Sequence, residues 1–233
     1  MNPEKRKLAA KIYLYLAALF ITSLVVSNLI FQKFFYWYPF DGKIFGSRLF
    51  ELSVGILPYP ITFLITDLIS EIYGKIAANR VVTAGIFASF FSMGILLIAD
   101  YVPAMESSPV DNATFTQVFS LSPLAVLASM IAYLLAQFVD IRIYHFWKKL
   151  TNGKMLWLRN NFSTFASQFL DTFSVVCLLS VFGILPWDLF FGLVLSGFIF
   201  KVIVALLDTP LLYLLVWMFK KKFDLKWGEE IKL

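Results

Sequence analysis

The chain reads as an all-α, polytopic membrane protein with six transmembrane helices and both termini in the cytoplasm. Composition is the first reason. Sixty per cent of the 233 residues are hydrophobic and 18% are aromatic, against roughly 45–50% apolar in soluble domains. Mean hydropathy is +0.78. The second reason is the presence of six runs close to the roughly 20 apolar residues that a helix needs to cross a bilayer. The third is that the basic residues gather in alternate connections, as the positive-inside rule requires.

The spans fall at about 12–32, 52–74, 80–100, 121–141, 160–184 and 188–212, in a single domain covering 1–233. Ile12 to Gln32 carries no charge and follows Lys5, Arg6 and Lys7 without a small-residue cleavage site, so it is expected to stay as an anchor. Pro58 and Pro60 limit the second span at one end, and Gly74 stops it at the other. Val81 to Ala99 and Leu121 to Val139 are uncharged. The fifth span carries Asp171, and the sixth carries Lys201 and Asp208. The last apolar run, Leu189 to Phe219, is too long for one crossing, so Pro210 is expected to kink it or end its membrane part.

With the N-terminus in the cytoplasm, that side holds Lys5, Arg6, Lys7, Lys11, Lys75, Arg80, Arg142, Lys148, Lys149, Lys154, Arg159, Lys220, Lys221, Lys222, Lys226 and Lys232. The outer side holds only Lys33, Lys43 and Arg48. The net charge of +5 therefore reports topology, and no nucleic-acid partner is expected. Lys33 to Arg48, "KFFYWYPFDGKIFGSR", reads as an interfacial aromatic belt or as a lid over an outward-facing pocket.

Ionisable groups inside a membrane cost at least about 2.5 kcal/mol each on insertion scales. They persist where they pair, line a wet cavity or work. In "NNFSTFASQFLDTFS", Asn160, Thr164, Gln168, Asp171 and Thr172 recur every three or four residues, with Ser163 and Ser167 beside them. That is one polar stripe, and it must face the bundle interior. Such residues also bond helices to one another, but four turns of them ending in an acid point to a lined cavity. Lys201 sits about as deep as Asp171, so the two are expected to pair. Asp208 lies on roughly the face of Lys201, nearer the cytoplasm.

"PITFLITDLISEIYG" places Asp67 and Glu71 four residues apart, on one face. Lys75 continues that face, so Glu71 reads as part of an ion ladder at a helix end. Asp67 is deeper and is the stronger functional candidate. The first span ends in Ser27 and Asn28. The fourth ends in Gln137 and Asp140, where a surface pair with Arg142 suffices.

Together, "PITFLITDLISEIYG", "STFASQFLDT" and the "FKV" around Lys201 resemble the queuosine precursor transporter family, also called the vitamin uptake transporter family. The resemblance covers nearly all six spans. It implies a multi-pass protein of the bacterial or archaeal cytoplasmic membrane that takes up 7-deazaguanines. The matching positions are Asn28, Pro60, Asp67, Ser163, Thr164, Gln168, Asp171, Thr172 and Lys201; the resemblance implies a variable residue at the position of Glu71.

A deazaguanine is flat and has a donor–donor–acceptor edge. Carboxylates accept from its N–H groups, and Gln or Asn supplies the complementary pair. Asp67, Asp171, Gln168 and Asn28 form the polar set, with Lys201, Ser163, Thr164 and Ser167 around it. Tyr59 and Phe63 are the stacking candidates, and Glu71 and Asp208 are candidates for gating or coupling.

The leading expectation is a solitary secondary carrier. The alternative is the substrate-binding subunit of an energy-coupling-factor transporter. Such subunits usually carry small residues four apart on the first helix, whereas here Ala17 and Ala18 are followed by Ile21 and Thr22. Catalysis is not expected, because His145 is the lone histidine and sits at a span edge. No cofactor is expected either, since the sequence has no metal-ligand cluster and no Gly-rich phosphate loop. The expected partners are the lipid bilayer and a deazapurine substrate; pairing into a homodimer is left open.

Overall fold

The structure is a computed structural model. It describes residues 3–31, 33–36, 43–44, 47–48, 51–119, 123–183, 185–226 and 228–232. The described helices are α1 (Pro3–Ile30), α2 (Tyr59–Ile72), α3 (Gly74–Tyr101), α4 (Asn112–Phe119), α5 (Pro123–Leu150), α6 (Leu156–Val181) and α7 (Phe190–Phe223). All but α4 belong to six segments long and apolar enough to span a membrane. Short antiparallel pairs join β1 (Phe34–Tyr36) to β4 (Glu51–Ser53) and β2 (Lys43–Ile44) to β3 (Ser47–Arg48). The expected lid falls mostly outside the described residues, which omit Pro39, Asp41, Gly42 and Gly46.

α2 occupies the centre, packing on α1, α3, α5 and α7. Its sequence explains why. Pro60 sits in the first turn, where a missing N–H costs nothing. From Thr62 onward nearly every residue is buried, as in a helix that is enclosed on all sides. Gly74, at φ +82°, ends it in a left-handed turn that side chains disfavour. α3 starts at that same residue, so α2 and α3 form a tight helical hairpin. Phe20, Leu24, Phe63, Leu68, Ile69, Val81, Tyr144, Leu212 and Val216 pack around this centre. Phe87, Phe91, Ile98, Leu135 and Leu207 point outward, as lipid-facing side chains do.

Two helices extend beyond their apolar runs. α1 begins at Pro3, so the basic residues before Ile12 are helical. α7 runs through Pro210 without a break to Phe223, 34 residues in all. That is about 50 Å, longer than the hydrocarbon core. The proline is accommodated within the helix, and the extra turns carry Lys220 into the bundle's end. Both termini lie at this one end: Lys5 pairs with Asp224, and the backbone N–H of Ile231 donates to Ile72 O at 2.7 Å.

α1 meets the 3-10 turn Val54–Ile56 that leads into α2 through a close backbone approach. A Cβ on Gly55 would lie 2.7 Å from Ser27 O and 2.8 Å from Phe31 Cβ. Backbone cannot yield there, so Gly55→Ala is expected to destabilise the fold by about 1–3 kcal/mol. Gly94→Ala, inside α3 with nothing within 4 Å, is expected to stabilise it by about 0.5–1 kcal/mol. Thermal unfolding in detergent checks both: the midpoint should fall for the first variant and rise for the second.

Candidate functional site

Lys201 Nζ lies 2.5 Å from Asp171 Oδ2, joining α7 to α6. The ammonium also sits 4.7 Å from the centroid of the Tyr59 ring. An intramembrane charge pair is tolerable when both members are matched in this way. Tyr59 in turn packs on Phe63 at 5.4 Å and on Tyr133 at 5.6 Å between centroids.

This cluster separates two cavities. The larger, about 430 Å³, lies in the half of the bundle opposite the termini. It is lined by Leu24, Asn28, Gly55, Tyr59, Ser89, Met130, Tyr133, Asp171, Thr172, Gly197 and Lys201, among others. Its volume is in the range of small-ligand pockets. The smaller is about 30 Å³, room for about one water. It is lined by Tyr59, Phe63, Asp67, Asn160, Thr164, Gln168, Lys201 and Asp208, among others. Tyr59 and Lys201 border both.

The residues expected to form one site are thus divided. Asn28 and Asp171 face the larger cavity, whereas Asp67, Gln168, Thr164 and Asp208 face the smaller. Ser167 turns away to α5 and donates to Asp140 Oδ1 at 2.9 Å, and Ser163 bonds Asn160 O of its own helix at 3.1 Å. Tyr59 and Phe63 lie against each other, tilted by 49°, and leave no slot for a sandwiched ring in this conformation. α6 and α7 are also held by Thr209, which donates to Asn161 Oδ1 at 3.0 Å.

Two expectations are overturned. Glu71 does not form a ladder with Lys75. The turn at Gly74 puts Lys75 in α3, where it is exposed, while Glu71 is fully buried. Its carboxylate instead meets Arg159 Nη2 at 2.7 Å, Lys220 Nζ at 2.8 Å and Lys148 Nζ at 3.5 Å, and it accepts from Tyr144 Oη at 3.2 Å. Lys148 reaches Glu230 as well, at 2.8 Å. This cluster closes the bundle at the end that carries the termini.

Nor does Asp140 pair at a surface with Arg142. Arg142 is exposed, whereas Asp140 is 0% exposed on the inner face of α5. There its carboxyl meets that of Asp67 on α2, with Thr164 beside Asp67. The signal for Asp140 was present in the sequence: it is four residues before Tyr144 and three after Gln137, on the one polar face of α5.

Removing one member of a buried charge cluster leaves the others uncompensated, typically at about 3–5 kcal/mol. Glu71→Gln is therefore expected to destabilise the protein by that amount, and Lys75→Ala by under about 0.5 kcal/mol. Thermal unfolding of the two variants in one detergent decides between this cluster and a ladder at the helix end.

A family model described as "putative vitamin uptake transporter" matches residues 53–215, a segment holding Tyr59, Asp67, Glu71, Asp140, Asp171 and Lys201. The chain is 30% identical, over 166 residues, to a Bacillus subtilis (strain 168) protein named "Probable queuosine precursor transporter". That alignment takes in 69% of this chain and 70% of the relative. No solved structure matches the chain. With the model matching well over half of its length, the chain belongs to the vitamin uptake transporter family.

Proposed function

We propose that this protein takes up 7-deazaguanine queuosine precursors, 7-cyano-7-deazaguanine or its aminomethyl form, through a bacterial cytoplasmic membrane as a solitary secondary carrier. The relative's name supports the substrate class. The basic residues gathered at the end that holds both termini support a cytoplasmic location for that end. The larger cavity then lies in the outer half.

The observation that carries the reading is the Asp171–Lys201 pair beneath Tyr59, shared between two unequal cavities. A ring entering the larger cavity offers N–H donors that compete with Lys201 for the Asp171 carboxylate. Asn28 supplies an amide on the same wall, and the Tyr59 and Tyr133 rings offer faces and edges to a flat ligand. Loosening the pair weakens the partition between the cavities. The smaller cavity holds a second polar set, Asp67, Gln168, Thr164 and Asn160, placed to receive the ring once it widens. At the end bearing the termini, the Glu71 cluster keeps the path shut in this conformation.

Purified protein in liposomes should take up labelled 7-cyano-7-deazaguanine without ATP and without another subunit. Uptake that appears only with an added ATP-hydrolysing module would assign the chain as a binding subunit instead. Asp171→Ala and Lys201→Ala should each abolish uptake or impair folding, with an unpaired buried charge costing about 3–5 kcal/mol. The double variant Asp171→Asn/Lys201→Met leaves no orphan charge and should fold, yet still lack uptake. Wild-type uptake by the double variant would make the pair purely structural.

A further inference from the structure

We infer that Asp67 and Asp140 form a proton-binding site that couples substrate movement to a proton gradient, an inference that rests on the carrier reading above. The carboxyls meet across α2 and α5, at 3% and 0% exposure. Among the described residues no donor reaches Asp67 Oδ1 or Asp140 Oδ2 with good hydrogen-bond geometry. Two carboxylates in contact and out of water cannot both stay ionised without a cation. Among the described residues, the cations within the bundle are engaged elsewhere: Lys201 on Asp171, and Arg159, Lys148 and Lys220 on Glu71. A single proton shared between the two acids satisfies both orphaned oxygens at once.

The surroundings fit a site that gains and loses that proton. α7 adds Asp208, a third acid acting on Asp67. α6 contributes the hydroxyls of Ser163, Ser167 and Thr164 to the interactions of the two acids, and its Asn160 and Gln168 line the small cavity with Asp67. α5 adds Tyr144 on the side of Asp67 and Tyr133 on the side of Asp140. On α2 itself, Glu71 lies one turn away with its own cations. α1 and α3 also pack on α2, and neither contributes a charged group among the interactions of the two acids. Asp67 borders the small cavity, which shares Tyr59 and Lys201 with the large one. A proton arriving through the large cavity thus meets the acid pair next to the path of the substrate. When the opposite end opens, water reaches the pair, the proton leaves to that side, and the ionised carboxylates repel. One proton crosses for each substrate, with no other co-reactant.

The test uses the full-length protein in liposomes, with labelled 7-cyano-7-deazaguanine as probe. With one proton per substrate, the accumulation ratio should change about tenfold for each pH unit of imposed gradient. Asp140→Asn keeps the shape and mimics the protonated acid. It should lose the gradient response while retaining exchange of labelled for unlabelled substrate. Infrared spectra at neutral pH give a reading that needs no substrate: the wild type should show a protonated-carboxyl C=O band that Asp140→Asn lacks. Should that variant not fold, Asp67→Asn must lose the same band, and pH titration of the band in the wild type reads the site directly. Exchange without any gradient response, or spectra without such a band, would overturn the inference. Absence of exchange in the wild type, with the band present and lost in the variant, would leave the proton site standing and remove the substrate reading instead.

Discussion

The carboxylate of Glu71 is the contact on which the rest of the bundle's closure depends. One acid at 0% exposure receives Arg159 from α6, Lys220 from α7 and Lys148 from α5. No single helix could satisfy three buried cations, and no three helices could hold them without the acid. Arg159 also binds the carbonyls of Gly153 and Lys154 at 3.0 and 2.8 Å, so the α5–α6 turn is held by the same group. The C-terminal segment joins through Glu230 and Ile231. Helices that separate at this end must break several charge-assisted bonds together.

The second pair, Asp171 with Lys201, differs in kind. It joins only α6 to α7; its Asp171 lines the larger cavity and its Lys201 lines both. A charge pair bordering a wet cavity can exchange partners with a polar ligand, whereas one enclosed in protein cannot without exposing an orphan charge. The two ionic centres thus divide the labour along the bundle. One holds the helices together and the other borders the larger cavity, with the two acids on α2 and α5 between them.

Much of this layout was legible in the sequence. Hydropathy marked all six spans, and the even number of spans placed both termini at one end, where Lys5 meets Asp224. The Asp171–Lys201 pair was legible because both residues sit near the middle of consecutive spans, so antiparallel packing brings equal depths together. The α6 stripe was legible as a stripe, but not its division among two cavities and α5. That division depends on how α5 and α7 cross α6.

Glu71 and Asp140 show where local reading fails. Helical periodicity offers partners three or four residues away, namely Lys75 for Glu71, or a near neighbour such as Arg142 for Asp140. Gly74 cancels the first by ending the helix. The partners that prevail are far along the chain, 88 residues for Arg159 and 149 for Lys220. By itself the sequence determined the number of spans, their alternation and the presence of acids where lipid forbids them, because these follow from hydropathy and charge summed along the chain. Only the tertiary structure decided which cation or acid each carboxylate faces. That choice depends on the register between helices, which no local period encodes.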